Sequence, residues 1–235
     1  MKSPLDWLRR SKPAPNLETL AFRDTLFGDA PAEQWPTATS PSQNAEPWQW
    51  FVQAREASRR GHADRAEQLL RQVLSTPNLE VRHYLQAWAA LSSHSVLPGA
   101  TEAKQVLGVV VEVALTQGPD VVAAYTDGSA RYLNQSGKII IWEKPDSSLD
   151  QLVSTLLAAG QQVASQIGPW EGERPAPPTG NTARVSFLTP SGLHFGEGPM
   201  DVLWQDALAH PVLAAAQALM IALMEKSQPG ITLSS

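Results

Sequence analysis

The chain has 235 residues, 43% hydrophobic and 17% charged, with a net charge of −5 whose acidic excess lies beyond residue 98. That length buries one large core or two small ones, and the negative balance argues against a general nucleic-acid binder. It contains no cysteine, which removes thiolate catalysis, cysteine-held zinc, iron–sulfur clusters and disulfides from consideration.

"MKSPLDWLRRSKPAP" has no apolar stretch of the secretory kind, and no run nears the ~18 apolar residues that cross a bilayer. The expectation is a soluble, cytoplasmic protein with no membrane partner. Residues 1–46 read as an irregular arm with six prolines. Two helical pieces lie in it. "SPLDWLRR" carries Ser3 as N-cap and Pro4 at the first helical position, and "NLETLAFRDTLF" starts at Asn16. The stretch "GDAPAEQWPTATSPSQNAEP" reads as linker. A disordered tail is poor in aromatic residues. This one holds Trp7, Phe22, Phe27 and Trp35, with Leu8 and Leu20 beside them. These side chains need burial, so the arm is a docking segment, on its own body or on a partner. Its removal is expected to leave the body folded.

Residues 47–95 are helical in pattern, with helices expected near 47–60, 63–75 and 80–93. Trp50, Ala54 and Ala57 space large and small residues along the first of them, Gly61 permits a reversal, and Ala66, Leu70, Val73 and Pro77 follow. These positions resemble one tetratricopeptide repeat over about 34 residues, departing from that family at Gln53 and Ala57 and with Pro77 one place early. The resemblance implies a protein-binding helical module. A lone repeat cannot bury its own faces, so Val81, Tyr84, Leu85, Trp88 and Leu91 of the third helix are expected to complete a three-helix unit.

"VLPGATEA" (96–103) marks a boundary, after which the period changes. Strands are expected at 105–115, 120–126, 129–135 and 138–143, joined through Gln117-Gly118-Pro119, Asp127-Gly128 and Gln135-Ser136-Gly137 into an antiparallel meander. The continuous apolar runs of the first and fourth predict central, well-covered strands. A helix over 148–167, a Pro/Gly-rich loop over 168–182 and two strands, "ARVSFLT" and "GLHFGEG", come next. A short helix, a break at His210-Pro211 and a long apolar helix to Lys226 complete the domain at 104–228. The fold class is α+β, an antiparallel sheet of five or six strands in the order β4-α-β2-α with helices on one face.

Candidate sites are few. Asp127, Ser129, Asn134 and Ser136 supply oxygens, but an EF-hand count from Asp127 places Arg131 at position five and Lys138 at twelve, where acids are needed. They read as turn residues. His62, His83, His94, His194 and His210 form no HxxH, HExxH or HxH pair. No GxSxG elbow, SxxK pair, Walker loop or GxGxxG fingerprint is present. His194 with Glu197 and Asp201 is the one constellation that suggests catalysis. Arg55, Arg59, Arg60, Arg65 and Arg71 offer a basic stripe, interrupted by Glu56, Asp64 and Glu67. The last helix, apolar nearly all round, reads as a buried central helix, or as the face of a homodimer.

The reading that follows is a non-catalytic adaptor or assembly protein with no metal and no cofactor, holding protein partners through Trp7, Leu8, Leu20, Phe22, Phe27, Trp35, Arg55 and Arg59. The alternatives are a small-ligand-sensing or regulatory dimerisation domain of the profilin-like type, resting on fold analogy, and an enzyme with its site near His194.

Overall fold

The structure is a computed structural model that describes residues 17–37, 46–116 and 118–227, with Leu17 as backbone only. The expected helix at 3–10, Trp7, Leu8 and Gln117 lie outside the described residues.

Six antiparallel strands form one sheet in the order β4-β3-β2-β1-β5-β6. They are β1 (Gly108–Ala114), β2 (Pro119–Tyr125), β3 (Ala130–Leu133), β4 (Ile139–Trp142), β5 (Thr182–Thr189) and β6 (Gly192–Pro199). The turn chemistry behind the meander is local. Asp127 Oδ1 accepts the Ser129 N–H at 2.9 Å and Gly128 takes φ +85°, while Asn134 Oδ1 accepts from the Ser136 and Lys138 N–H groups. Asp127 has a further task that its spacing does not reveal. Its Oδ2 accepts the Val81 N–H at 2.9 Å, an acidic cap on the N-terminus of a helix in the preceding module.

The strand period of two divides the core. One face presents Val109, Val111, Val122, Tyr132, Val185 and Phe187 to α5 (Asp150–Ala164) and α7 (Ala209–Lys226), the two long helices of this domain. α5 is stitched to the start of β1 by Gln161, which accepts the Val106 N–H at 2.9 Å and donates to the Lys104 carbonyl at 3.0 Å. The opposite face presents Val110, Val121, Ala123, Tyr125, Leu133 and Leu188, packed on Leu26 and Phe27 of the arm and on Val81 and Leu85 of the helical module. Helices therefore cover both faces. Those of the domain itself share one of them.

The module comprises α2 (Trp48–Arg59), α3 (Ala63–Ser75) and α4 (Val81–Ser93). Gly61, at φ +76°, turns the chain between α2 and α3. Trp50, Ala54, Ala57, Ala66, Leu70 and Val73 are all buried in a second core with Trp88 and Leu91, the burial that any close-packed helical hairpin requires. In the arm, α1 (Leu17–Thr25) and a 3₁₀ turn (Ala32–Gln34) fold back on the body. Tyr125 donates its hydroxyl to the Leu26 carbonyl at 2.6 Å, and Trp35 meets Phe51 edge-on with centroids 5.2 Å apart.

Three expectations are corrected. β4 is an edge strand, not a central one: Ile140 and Trp142 face α5 and α7, while Ile139 and Ile141 face the other way and Ile141 is 55% exposed. The His210-Pro211 pair does not break a helix. It lies in the first turn of α7, where the proline's missing N–H would have had no intrahelical partner. Nor is α7 a central helix: it forms an outer layer, with Val212, Leu213, Ala216, Leu219 and Leu223 inward and Gln217, Ala218 and Ile221 in solvent.

Candidate functional site

The side chains expected to hold a partner divide sharply. Phe27 and Trp35 are buried in the chain's own cores, Leu20 and Phe22 are half-buried, and Arg59 is exposed and paired with Glu56 at 3.3 Å. Arg55 is buried. It donates to the carbonyls of Ala32 at 2.9 Å, Trp35 at 3.2 Å and Pro36 at 2.8 Å, and so clamps the 3₁₀ turn of the arm onto α2. The basic stripe loses its first member in this way, and Arg71 is tied to Glu67 at 2.7 Å. The described part of the arm is thus spent on this molecule.

Beneath the arm lies an ionic cluster that no sequence motif marks. Glu112 is fully buried in the middle of β1, on the face toward α1. Arg23 of α1 grips both its oxygens, at 2.7 and 3.1 Å, and Arg184 of β5 lies 3.6 Å away. Arg184 also binds Glu197 at 2.7 Å and the Ala176 carbonyl at 2.8 Å. Arg174 reaches Asp24 and Asp29, each at 2.8 Å, and covers the Phe27 ring at 4.3 Å. A buried carboxylate needs paired charge and full hydrogen bonding, and this cluster supplies both. Its three arginines are each paired with carboxylates of the cluster, so it anchors the arm and the 168–182 loop to the sheet.

The His194 constellation is divided by the sheet. Glu197 stands on the arm face with Arg184, whereas His194 pairs across from Phe187 and points to the α5 side. Asp201 is exposed on α6 (Met200–Leu203). His194 instead meets Ser191 of the β5–β6 turn, Oγ to Nε2 at 3.0 Å, and Ser191 Oγ lies 3.0 Å from Thr189 Oγ1. Burial, opposed by the Ile167 backbone and reinforced by Lys104, holds the imidazole below its usual range and therefore neutral. The three polar side chains staple the hairpin.

One concave surface joins space to exposed apolar side chains. A cleft of about 300 Å³ opens between the outer ends of β1 and β2 and the helices α6 and α7. Val113 and Val122 supply its floor, Met200 and Met220 its sides, and Trp204 and Leu115, both partly exposed, stand at its edge. Val202 and Leu208, which flank Trp204 in the same short segment, are exposed as well. Among the described residues the one charged group of the lining is Asp120, at the start of β2. Its Oδ1 accepts the Gln135 N–H at 2.7 Å and its Oδ2 the Tyr132 hydroxyl at 3.1 Å. Burial, and then the Asp120 charge, push the Tyr132 phenol up to about 12, so it stays a donor.

None of the cleft residues stood out in the sequence. The available signal was "MDVLWQDAL", which carries more large apolar residues than a four-residue helix can bury. Among the described residues no group of three or more histidines and carboxylates is placed to hold a metal ion, and no helix is long and apolar enough to cross a membrane. No protein-family model, no curated protein and no solved structure matches the chain.

Proposed function

We propose that the chain is a non-catalytic accessory protein that holds a partner protein by non-covalent contact at the cleft between the β1–β2 end of the sheet and α6–α7. The observation that carries the reading is the exposed apolar segment around Trp204 beside a concavity deep enough to take a side chain. Apolar surface gathered round a pocket is what partner-binding faces present, with an aromatic anchor near its centre. This moves the contact surface away from Phe27, Trp35 and Arg55, which are engaged inside the molecule. The tetratricopeptide-like character of α2 and α3 belongs to the same proposal, as a module that braces the sheet. So does a cytoplasmic setting, which suits a chain that holds its cores together without disulfides.

Co-purification of the wild-type chain and of Trp204→Ser from native cells tests the reading. Trp204 is partly exposed, so the variant is expected to keep its circular dichroism and lose its partners. Equal recovery by both chains counts against the cleft. A second reading, a small-ligand-sensing regulatory domain, draws on the same concavity, since about 300 Å³ lies at the lower end of ligand-pocket sizes. A metabolite that raises the melting temperature of the wild type and not of Trp204→Ser would favour it.

A further inference from the structure

We propose that the group the cleft accepts is a lysine side chain of the partner, its methylenes along the apolar walls and its ammonium on Asp120. The inference rests on the cleft being the binding site, and it names what the site selects.

Among the described residues the lining combines apolar walls with one carboxylate, Asp120, and one amide, Gln217, and no lysine, arginine or histidine contributes to it. An uncharged hydrocarbon entering this space strips water from Asp120 and returns no hydrogen bond, which costs binding energy. An anionic group meets the carboxylate with repulsion at short range in a partly desolvated site. A cationic group at the end of an aliphatic chain satisfies both parts of the lining. Lysine is that chain, four methylenes that cover apolar surface with a charged tip.

Geometry separates lysine from arginine. Each oxygen of Asp120 already accepts one hydrogen bond, from the Gln135 amide and from the Tyr132 hydroxyl. An ionised carboxylate has about four acceptor positions, so one is left on each oxygen, and a guanidinium would have to meet both in the single orientation that its planar fork allows. A compact ammonium with three rotatable donors needs only one open direction. The surroundings separate a protein segment from a free amine. Leu115 and Trp204, which line the cleft, leave apolar surface exposed at its edge, more than an isolated lysine-sized molecule covers. The lysine therefore sits in a segment with apolar neighbours.

The test uses the full chain with isotope-labelled methionine methyl groups, because Met200 and Met220 report on the cleft directly. Two probes are titrated, N-acetyl-lysine N-methylamide and its uncharged counterpart N-acetyl-norleucine N-methylamide. The lysine probe is expected to shift both methyl signals and to bind about tenfold more tightly, which corresponds to ~1.4 kcal/mol. Asp120→Asn, whose Oδ1 still accepts from the Gln135 N–H and whose Nδ2 can donate to the Tyr132 hydroxyl oxygen, is expected to abolish the preference. In the unaltered protein, raising the salt concentration is expected to weaken the lysine probe and leave the norleucine probe unchanged. Equal binding of the two probes, a preference that survives in Asp120→Asn, or an absence of salt dependence overturns the lysine assignment while leaving the cleft a binding site. Silence of both methyl signals with both probes also overturns it, and the proposed function falls too if Trp204→Ser still recovers every partner.

Discussion

Glu112 sits in "GVVVEVA", the one charge in a strand of small and branched apolar residues. A lone acid inside such a run has to find cations, because ionised carboxylates are not left unpaired in a core. That much was legible. Which cations answer it was not, since Arg23 and Arg184 come from positions 89 residues before and 72 after and only the register of β1 with β5 and the docking of α1 bring them in. Glu112→Gln removes the buried carboxylate that Arg23 and Arg184 share and leaves them only the more exposed Asp24 and Glu197. It is expected to cost about 3–5 kcal/mol, read as a lower urea midpoint at unchanged slope. Glu67→Gln, which breaks only the surface pair with Arg71, is expected to cost under ~1 kcal/mol. His194 gives a pH dependence at the same scale. Burial lowers its folded-state value below that of the unfolded chain, near 6.5. The unfolded chain then binds the proton first on acidification, so this contribution is complete above pH ~6.5 and is lost as the pH falls below it. His194→Gln is expected to flatten the fall in melting temperature between pH 7 and 5. An unchanged profile would mean that the ring titrates alike in both states.

α5 shows how an element is fixed by one missing side chain. Glycine inside a helix costs about 1 kcal/mol relative to alanine, yet Gly160 lies in the middle of α5. A Cβ built there would stand 2.6 Å from Val109 Cγ2 and 3.2 Å from Phe187 Cδ1, so the glycine lets the helix rest directly on β1 and β5. Gly160→Ala is therefore expected to destabilise by about 1–3 kcal/mol, against its helix propensity. Thermal denaturation decides the sign. β4 makes the contrary point. Its run Ile139-Ile140-Ile141-Trp142 reads the same whether one face or both are covered, because a run of four carries no period. Only the sheet order shows that it is an edge with Ile141 in solvent. Ile141→Lys is expected to change stability by less than ~0.5 kcal/mol, whereas a buried central position would not tolerate the charge.

At the scale of the molecule, the sheet is the shared floor of two cores. The α5–α7 side could be read from periodicity, because its partners follow in the same domain. The arm side could not, since it is built by α1 and α4 from more than twenty residues upstream, and their aromatic and leucine positions say only that they need a surface, not which one. The consequence reverses the expectation for truncation. Removing residues 1–37 would uncover Val110, Tyr125 and Leu188 and leave Glu112 without Arg23. The shortened chain is expected to melt at lower temperature and to bind an apolar dye. A body as stable as the full chain would show the arm to be dispensable. With the described arm buried, the cleft is where we propose that a partner is held. Photo-cross-linking tests that most directly, with a photoreactive side chain placed at Trp204 in one molecule and at Leu97, exposed outside the cleft, in another. The account predicts partner cross-links from the Trp204 position and none from the Leu97 position. Cross-links from Leu97 alone, or the same products from both, would contradict it.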